Sequence, residues 1–152
     1  MSPTASARRY AVSMAETIFT KIIAGEIPCH KIYEDDQVLA FLDIGPVSAG
    51  HMLVIPKEPA VTLDALSDEA SAAIGRVLPR LCRALKMVTG SGAMNVLQNN
   101  EALAHQVVEH VHFHIIPKPD GEQGLGVGWP AGELDQEQGT ALAQRLRDAL
   151  TG

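Results

Sequence analysis

Three histidines stand at every second position in EHVHFHIIPK, residues 109–118, with Val111, Phe113 and Ile115 interleaved. Side chains alternate across a β-strand, so a strand here would put His110, His112 and His114 on one face and the apolar three on the other. Val, Phe and Ile with period-two alternation favour a strand over a helix, and Pro117 with Pro119 is expected to close the run. In a helix the same imidazoles would be scattered around the axis and would serve no common purpose.

Three uses of such a face compete. The plainest is a partly buried strand whose wetter side is polar; strict alternation of three histidines fits it poorly, because clustered imidazoles mark sites. The second is a metal, since imidazoles two apart on a strand can share a zinc or iron ion. Against it, neighbouring histidines would lie roughly 6.5–7 Å apart along the strand, and His110 and His114 about 13 Å, awkward for ligands that must each sit about 2 Å from one ion. Glu109 would also point to the opposite face. The third is phosphate chemistry, with one imidazole attacking and its neighbours donating hydrogen bonds to phosphate oxygens. A histidine can be a neutral nucleophile at neutral pH, and a protonated neighbour stabilises developing negative charge. Only this use gives work to all three.

The elements that must hold the row are legible on either side of it. Ile18, Phe19, Ile22 and Ile23 fall at helical spacing before Gly25, predicting a short amphipathic helix over 17–24. HKIYE and QVLAFLD, separated by Asp35 and Asp36, predict a hairpin with an acidic turn. GPVSAG is loop, and HMLVIP a strand ended by Pro56 that delivers His51 at its first position. The longest periodic segment, 67–88, lines up Leu66, Ala70, Ala73, Ile74, Val77, Leu78, Leu81, Leu85 and Val88 in one apolar stripe. Ser67 offers it a partial N-cap signal without the full capping box, and Pro79 is expected to kink it by removing a backbone donor.

GAMNVLQNN predicts another strand, running into a polar loop at Asn99, Asn100 and Glu101. Beyond the histidines, KPDGEQGLGVGWP is Gly-rich and holds the single tryptophan, Trp129. A tryptophan in such company is expected to dock, because exposure forfeits roughly a few kcal/mol of burial. Leu142, Leu146 and Leu150 predict a closing amphipathic helix over 136–150. No internal repeat, low-complexity segment or second-domain boundary is visible, so one domain over 16–152 is expected. Residues 1–15, with Arg8 and Arg9 but no acid, are expected to be a disordered extension.

Composition narrows the function classes. A net charge of −6 argues against a nucleic-acid grip, which needs a basic face, so any nucleotide bound is expected to be small. Cys29 and Cys82 form no CxxC spacing; a disulfide framework or a cysteine zinc knuckle is not expected, and a reducing, cytoplasmic compartment is. No apolar run approaches the ~20 residues of a membrane span, so a soluble protein without a membrane partner is expected.

HVHFHII has the form of the histidine triad signature, and its context resembles the Hint branch of that family, the nucleotide-binding nucleoside phosphoramidases. The resemblance runs through TIFTKIIAGEIP, YEDDQVLAFLDI, GHMLVIPK and the spacing from Asn99 to His110, covering 17–130. It implies an α+β subunit with a mainly antiparallel sheet, a short N-terminal helix and a long helix, pairing as a homodimer with a dimer-wide sheet. It implies His112 as the nucleophile forming a nucleotidyl-histidine, His114 as the donor to phosphate oxygens, and His51 and His110 as supports for the nucleophile's orientation and tautomer. Asp43 matches the carboxylate that accepts from the ribose hydroxyls. Phe19, Ile22, Ile27, Phe41, Ile44 and Leu53 match the apolar slot for the base, although core packing would equally explain Phe41 and Leu53, and a turn before Gly45 would explain Asp43.

Asn99 matches the polar residue at the phosphate or leaving group; the Fhit branch, which cleaves dinucleoside polyphosphates, typically has Gln there. Trp129 resembles the tryptophan that such subunits lay near the partner's active site. Two departures stand out. Some relatives carry CxxC at TIFT and bind zinc, whereas Thr17 and Thr20 supply no thiolate, so no metal is expected and His30 and His105 read as loop or surface histidines. Val107 stands where animal members have a phosphate-contacting serine. The implied activity is cofactor-free cleavage of purine nucleoside 5′-phosphoramidates, such as AMP joined through P–N to an amine. The alternatives are a dinucleoside polyphosphate hydrolase and a non-catalytic nucleotide-binding adaptor.

Overall fold

The computed structural model describes residues 16–152; the expected disordered extension over 1–15 lies outside the described residues. The elements run α1 (Ile18–Ile23), β1 (Lys31–Glu34), β2 (Val38–Leu42), β3 (Met52–Pro56), α2 (Asp68–Thr89), β4 (Ala93–Gln98), β5 (Phe113–Lys118) and α3 (Gln136–Thr151). Five strands form one sheet in the order β1-β2-β3-β5-β4, each neighbouring pair antiparallel. The fold is the α+β arrangement expected.

The acidic turn works as an Asx turn. Asp35 Oδ1 accepts from the amides of Gln37 and Val38 at 2.7 and 2.8 Å, and its other oxygen accepts from the Tyr33 hydroxyl at 2.6 Å. The strands it leads into read as continuous apolar runs because both faces of the sheet are covered. Val38, Ala40, Met52, Val54 and Ile115 pack against Ala73, Ile74, Val77, Leu81 and Leu85 of α2. Leu39, Phe41, Leu53 and Ile55 face the other way, onto Phe19 of α1. Side chains alternate, so one hairpin serves both layers.

Both main helices are capped as their ends require. Ser67 Oγ accepts from the Ala70 amide at 3.1 Å and is itself held by Glu58 at 2.8 Å, while Gly90 closes α2 in the left-handed conformation, φ 70°. Pro79 does not divide α2; it sits on the exposed face, where the carbonyl its missing N–H leaves free is open to solvent. Thr17 and Thr20 cap α1 reciprocally, each side-chain oxygen accepting from the other's amide, at 2.9 and 3.2 Å. Their hydroxyls therefore do the work of a capping box, with threonine in the place of the usual Glu or Gln.

One expectation needs correction. The histidine strand begins only at Phe113 and continues through Pro117 to Lys118, so His110 and His112 precede it. The ladder with β3 stops at Val54–Phe113: beyond it the Pro56 carbonyl is taken by the His110 ring and the Val111 amide turns to the Ala60 carbonyl at 2.8 Å. The alternation survives the missing ladder, because Val111 is buried with Ala60, Leu66 and Ala70 while the histidines face α1. Trp129 does not dock on its own chain; it is 79% exposed, and α3 after it buries no residue.

Candidate active site

Register builds the site. Phe41 of β2, Leu53 of β3, His114 of β5 and Leu97 of β4 are successive partners across four strands, forming one rung on the face opposite α2. Over it lies Phe19, with its ring edge to Phe41 at 5.8 Å and to His112 at 5.0 Å between centroids. A cavity of about 620 Å³ opens here. Phe19, Ile22, Ile27, Phe41, Ile44 and Leu53 form its apolar end, and Asp43, His51, Asn99, His112 and His114 line the same space. Phe41 and Leu53 are thus both core and wall. Ile44, 89% exposed, stands at the mouth. His110 lies beneath, 1% exposed, and Trp129 is not among the walls. A second cavity, of about 630 Å³ between the end of α2 and the sheet, is lined by no histidine, cysteine or carboxylate and offers no comparable chemistry.

Backbone groups fix the tautomer of each histidine. A carbonyl can only accept, so the 2.7 Å contact of His112 Nδ1 with the His110 carbonyl puts the proton on Nδ1 and leaves Nε2 as a lone pair. An amide can only donate, so the Val47 N–H at 3.1 Å makes His51 Nδ1 the acceptor. His51 Nε2 then carries the proton and donates to His114 Nδ1 at 2.9 Å, which leaves the proton of neutral His114 on Nε2. His110 donates from Nε2 to the Pro56 carbonyl at 2.8 Å, and its Nδ1 is buried without a partner. The result is a lone pair on His112 Nε2 beside a neutral donor on His114. The His112 ring is held by the backbone carbonyl of His110, and the His51 ring bonds to His114.

Burial keeps the four rings neutral. It lowers the pKa of His51, His110 and His112, outweighing for His112 the opposing pull of the His110 carbonyl and of Asp43. His114 falls to about 4, from burial first and then from its neighbours His112 and His51. If neutral His112 is the attacking group, the acid limb of kcat/KM is expected to be centred below 6.5, the ordinary histidine value. The linkage has the same sign. Folded-state values lie below unfolded ones, so the stability tied to these rings is complete above about pH 6.5 and is lost as pH falls from there toward 4. A pH–rate profile checks the first expectation; an acid limb centred at or above 6.5 would contradict it.

Asp43 Oδ2, His51 Nε2 and His114 Nδ1 lie within 4.8 Å of one another, close enough for one cation. The proton inventory opposes this. To ligate through Nε2, His51 would have to move its proton to Nδ1, where it would face the Val47 N–H. Asp43 also spends Oδ1 on the Gly45 amide at 2.8 Å, so it makes the turn and still presents its second oxygen, 3.5 Å from His51.

Several contributors carry no sequence signal. The Val47 amide and the Pro56 and His110 carbonyls are backbone groups, invisible in residue type. Gln106 is buried and ties the loop before the histidines together, accepting from the Glu101 amide at 2.6 Å and donating to the Val61 and Val108 carbonyls at 2.6 and 3.0 Å. Glu101 and His105 in that loop have φ near +70°, conformations that persist where surrounding structure enforces them. His105 is exposed at the rim and His30 is exposed elsewhere, as expected. Pro28, Cys29, Val108, Leu97, Ile116 and Leu125 also line the cavity.

The chain is similar to proteins already described. It is 51% identical over 133 residues to adenosine 5′-monophosphoramidase hnt1 of Schizosaccharomyces pombe, covering 88% of this chain and 97% of that one. A solved structure of a hypothetical protein from Leishmania major superposes with a TM-score of 0.85 at 49% identity, over 90% of this chain and 97% of that one. The crystal structure of a histidine triad nucleotide-binding protein from Candida albicans gives 0.82 at 43% identity, over 90% and 98%. The HIT domain model matches residues 24–121, from the end of α1 through all five strands and the three histidines. On this match, and on the relatives aligned along most of its length, the chain belongs to the HIT domain family.

Proposed function

We propose that the protein hydrolyses purine nucleoside 5′-phosphoramidates by double displacement at the α-phosphorus. One observation carries the reading: the unprotonated His112 Nε2 and the Nε2–H of His114 lie together at the end of an apolar slot shaped by Phe19, Phe41 and Leu53. The activity printed for the S. pombe relative supports it. The base enters the slot and Asp43 accepts from the ribose hydroxyls. His112 Nε2 attacks phosphorus; the P–N bond breaks with its electron pair going to nitrogen, which takes a proton from solvent and leaves as the amine. His114 Nε2–H donates to a phosphoryl oxygen as charge develops, with Asn99 at the same end of the site. Water then attacks phosphorus, loses a proton, and releases the nucleoside monophosphate and neutral His112. No metal or cofactor enters these steps.

The assembly we infer is a homodimer. β4 is an edge strand with Val96 exposed, and Met87 and Val88 are exposed where α2 runs into it. Pairing these edges would join two sheets and let the exposed Trp129 approach the partner's site. No helix of the described residues is long and apolar enough to cross a membrane. Cys29 and Cys82 are both free thiols, and the setting we infer is reducing and cytoplasmic. The deciding assay is hydrolysis of adenosine 5′-phosphoramidate beside a dinucleoside tetraphosphate, with and without a chelator. Chelator-resistant P–N cleavage is expected to dominate; a strong preference for the tetraphosphate would overturn the assignment.

A further inference from the structure

The ladder that brings His51 beside His114 is short. β3 and β5 share the pairs Met52–Ile115, Leu53–His114 and Val54–Phe113, and His51 stands one residue before β3 begins. Carried past Met52–Ile115, the same register would set Gly50 opposite Pro117, but the chain there has already left the strand. A side chain takes over. Ser48 Oγ–H donates to the Pro117 carbonyl at 2.6 Å, a buried contact between residues 69 apart in sequence.

Of residues 44–50, Ser48 alone is buried, at 7% exposure. Its carbonyl accepts from the His51 amide at 3.0 Å, and the amide of its neighbour Val47 donates to His51 Nδ1 at 3.1 Å. Ser48 therefore stands between the loop's anchor on β5 and both of the loop's contacts with His51. Alanine would fill nearly the same space; what the hydroxyl adds is a fixed distance to the strand that carries His114.

That distance bears on where protons sit. Neutral rings joined through His51 Nε2 and His114 Nδ1 have two arrangements open to them. In one, His51 donates and His114 keeps its proton on Nε2. In the other, His114 donates from Nδ1, and its Nε2 becomes a lone pair that cannot donate to a phosphoryl oxygen. The Val47 amide selects the first, because a proton on His51 Nδ1 would face the Val47 N–H. Asp43 Oδ2, 3.5 Å from His51 Nε2, favours the same arrangement at longer range. The selection by Val47 lasts only while its amide stays in place.

We propose that Ser48 is a positioning residue for the phosphoryl transfer: its hydroxyl, anchored on the Pro117 carbonyl, holds the Val47 amide on His51 and so keeps the proton of His114 on Nε2. The inference rests on the phosphoramidase reading for its effect on rate, and stands apart from it for its effect on the rings. Ser48 touches no reacting atom and acts only through its neighbours.

The test is Ser48→Ala, read by nitrogen NMR of the histidine rings at about pH 8, above the ordinary histidine range, and by kcat and KM for adenosine 5′-phosphoramidate. Wild type is expected to show His51 and His114 each protonated on Nε2. The variant is expected to show a mixture, with part of His114 protonated on Nδ1, and to lose about tenfold in kcat with little change in KM, the signature of an interaction made in the transition state. Losing a donor outright costs roughly 10²–10³; the loss here is smaller because Asp43 keeps part of the population in the working arrangement. Ser48→Cys, whose thiol is a weak donor, is the milder variant and carries the test if alanine does not fold; both readouts should move the same way, by less. A wild type with His51 protonated on Nδ1, variants that keep the wild-type ring pattern, or mixed rings with kcat unchanged would each overturn the role. Failure of wild type to cleave the phosphoramidate would instead sink the phosphoramidase reading, and the ring pattern would still decide what Ser48 does to His51.

Discussion

His112→Ala is expected to lower turnover of an adenosine phosphoramidate by at least ~10⁴-fold, the scale on which loss of a nucleophile acts. AMP binding should survive. The proposed base slot is built from Phe19, Phe41 and Leu53: the β2–β3 ladder holds Phe41 and Leu53, and Phe19 keeps its contact with Phe41 when the His112 ring is removed. Truncation frees the His110 carbonyl of its Nδ1–H partner, but that carbonyl then lies beside an open cavity that water can enter, so the folding cost is of order 1 kcal/mol. Calorimetric titration with AMP alongside the rate separates the two effects. A variant that kept a few per cent of wild-type turnover would show that another group attacks phosphorus.

His110→Ala is expected to do the reverse, damaging the fold more than the chemistry. Its ring is 1% exposed, donates to the Pro56 carbonyl at 2.8 Å and meets the Phe19 ring edge-on at 6.1 Å. Removing it leaves a buried carbonyl without its donor and a cavity beneath α1, together about 2–4 kcal/mol. For a chain of this size that corresponds to roughly 5–15 °C in Tm. The group of residue 110 that bonds to the His112 ring is its backbone carbonyl, which alanine retains. Turnover at a temperature where the variant is folded should therefore fall far less than in His112→Ala. A Tm within about 2 °C of wild type, under the shift that 1 kcal/mol brings, would contradict the structural role.

The contrast between neighbouring histidines shows what residue types reveal. Alternation of Val111, Phe113 and Ile115 with the three imidazoles placed the two sets on opposite faces correctly, because that depends only on an extended backbone. The strand's start was misplaced because it is decided by partners distant in sequence: the His110 ring takes the Pro56 carbonyl, and Ala60 takes the Val111 amide. The hairpin at Asp35 and the cap at Ser67 were legible since both are short-range side-chain contacts with backbone amides. Trp129 is exposed in the single chain, where an apolar side chain specifies burial without saying against what. The candidate site was legible as a set of residue types, and its protonation pattern was not. Val47 contributes an amide to His51, and Gln106 holds the approach loop through two carbonyls; neither contact follows from spacing.

In the proposed reaction His112 attacks phosphorus and water attacks next, two displacements in sequence. The most direct measurement is the stereochemical course with a single diastereomer of adenosine 5′-phosphorothioamidate, cleaved in heavy-oxygen water. Each in-line displacement inverts phosphorus, so the account predicts overall retention in the thiophosphate product, whether or not the nucleotidyl-histidine accumulates. Inversion would mean that water displaces the amine directly, and would remove His112 from the role of nucleophile.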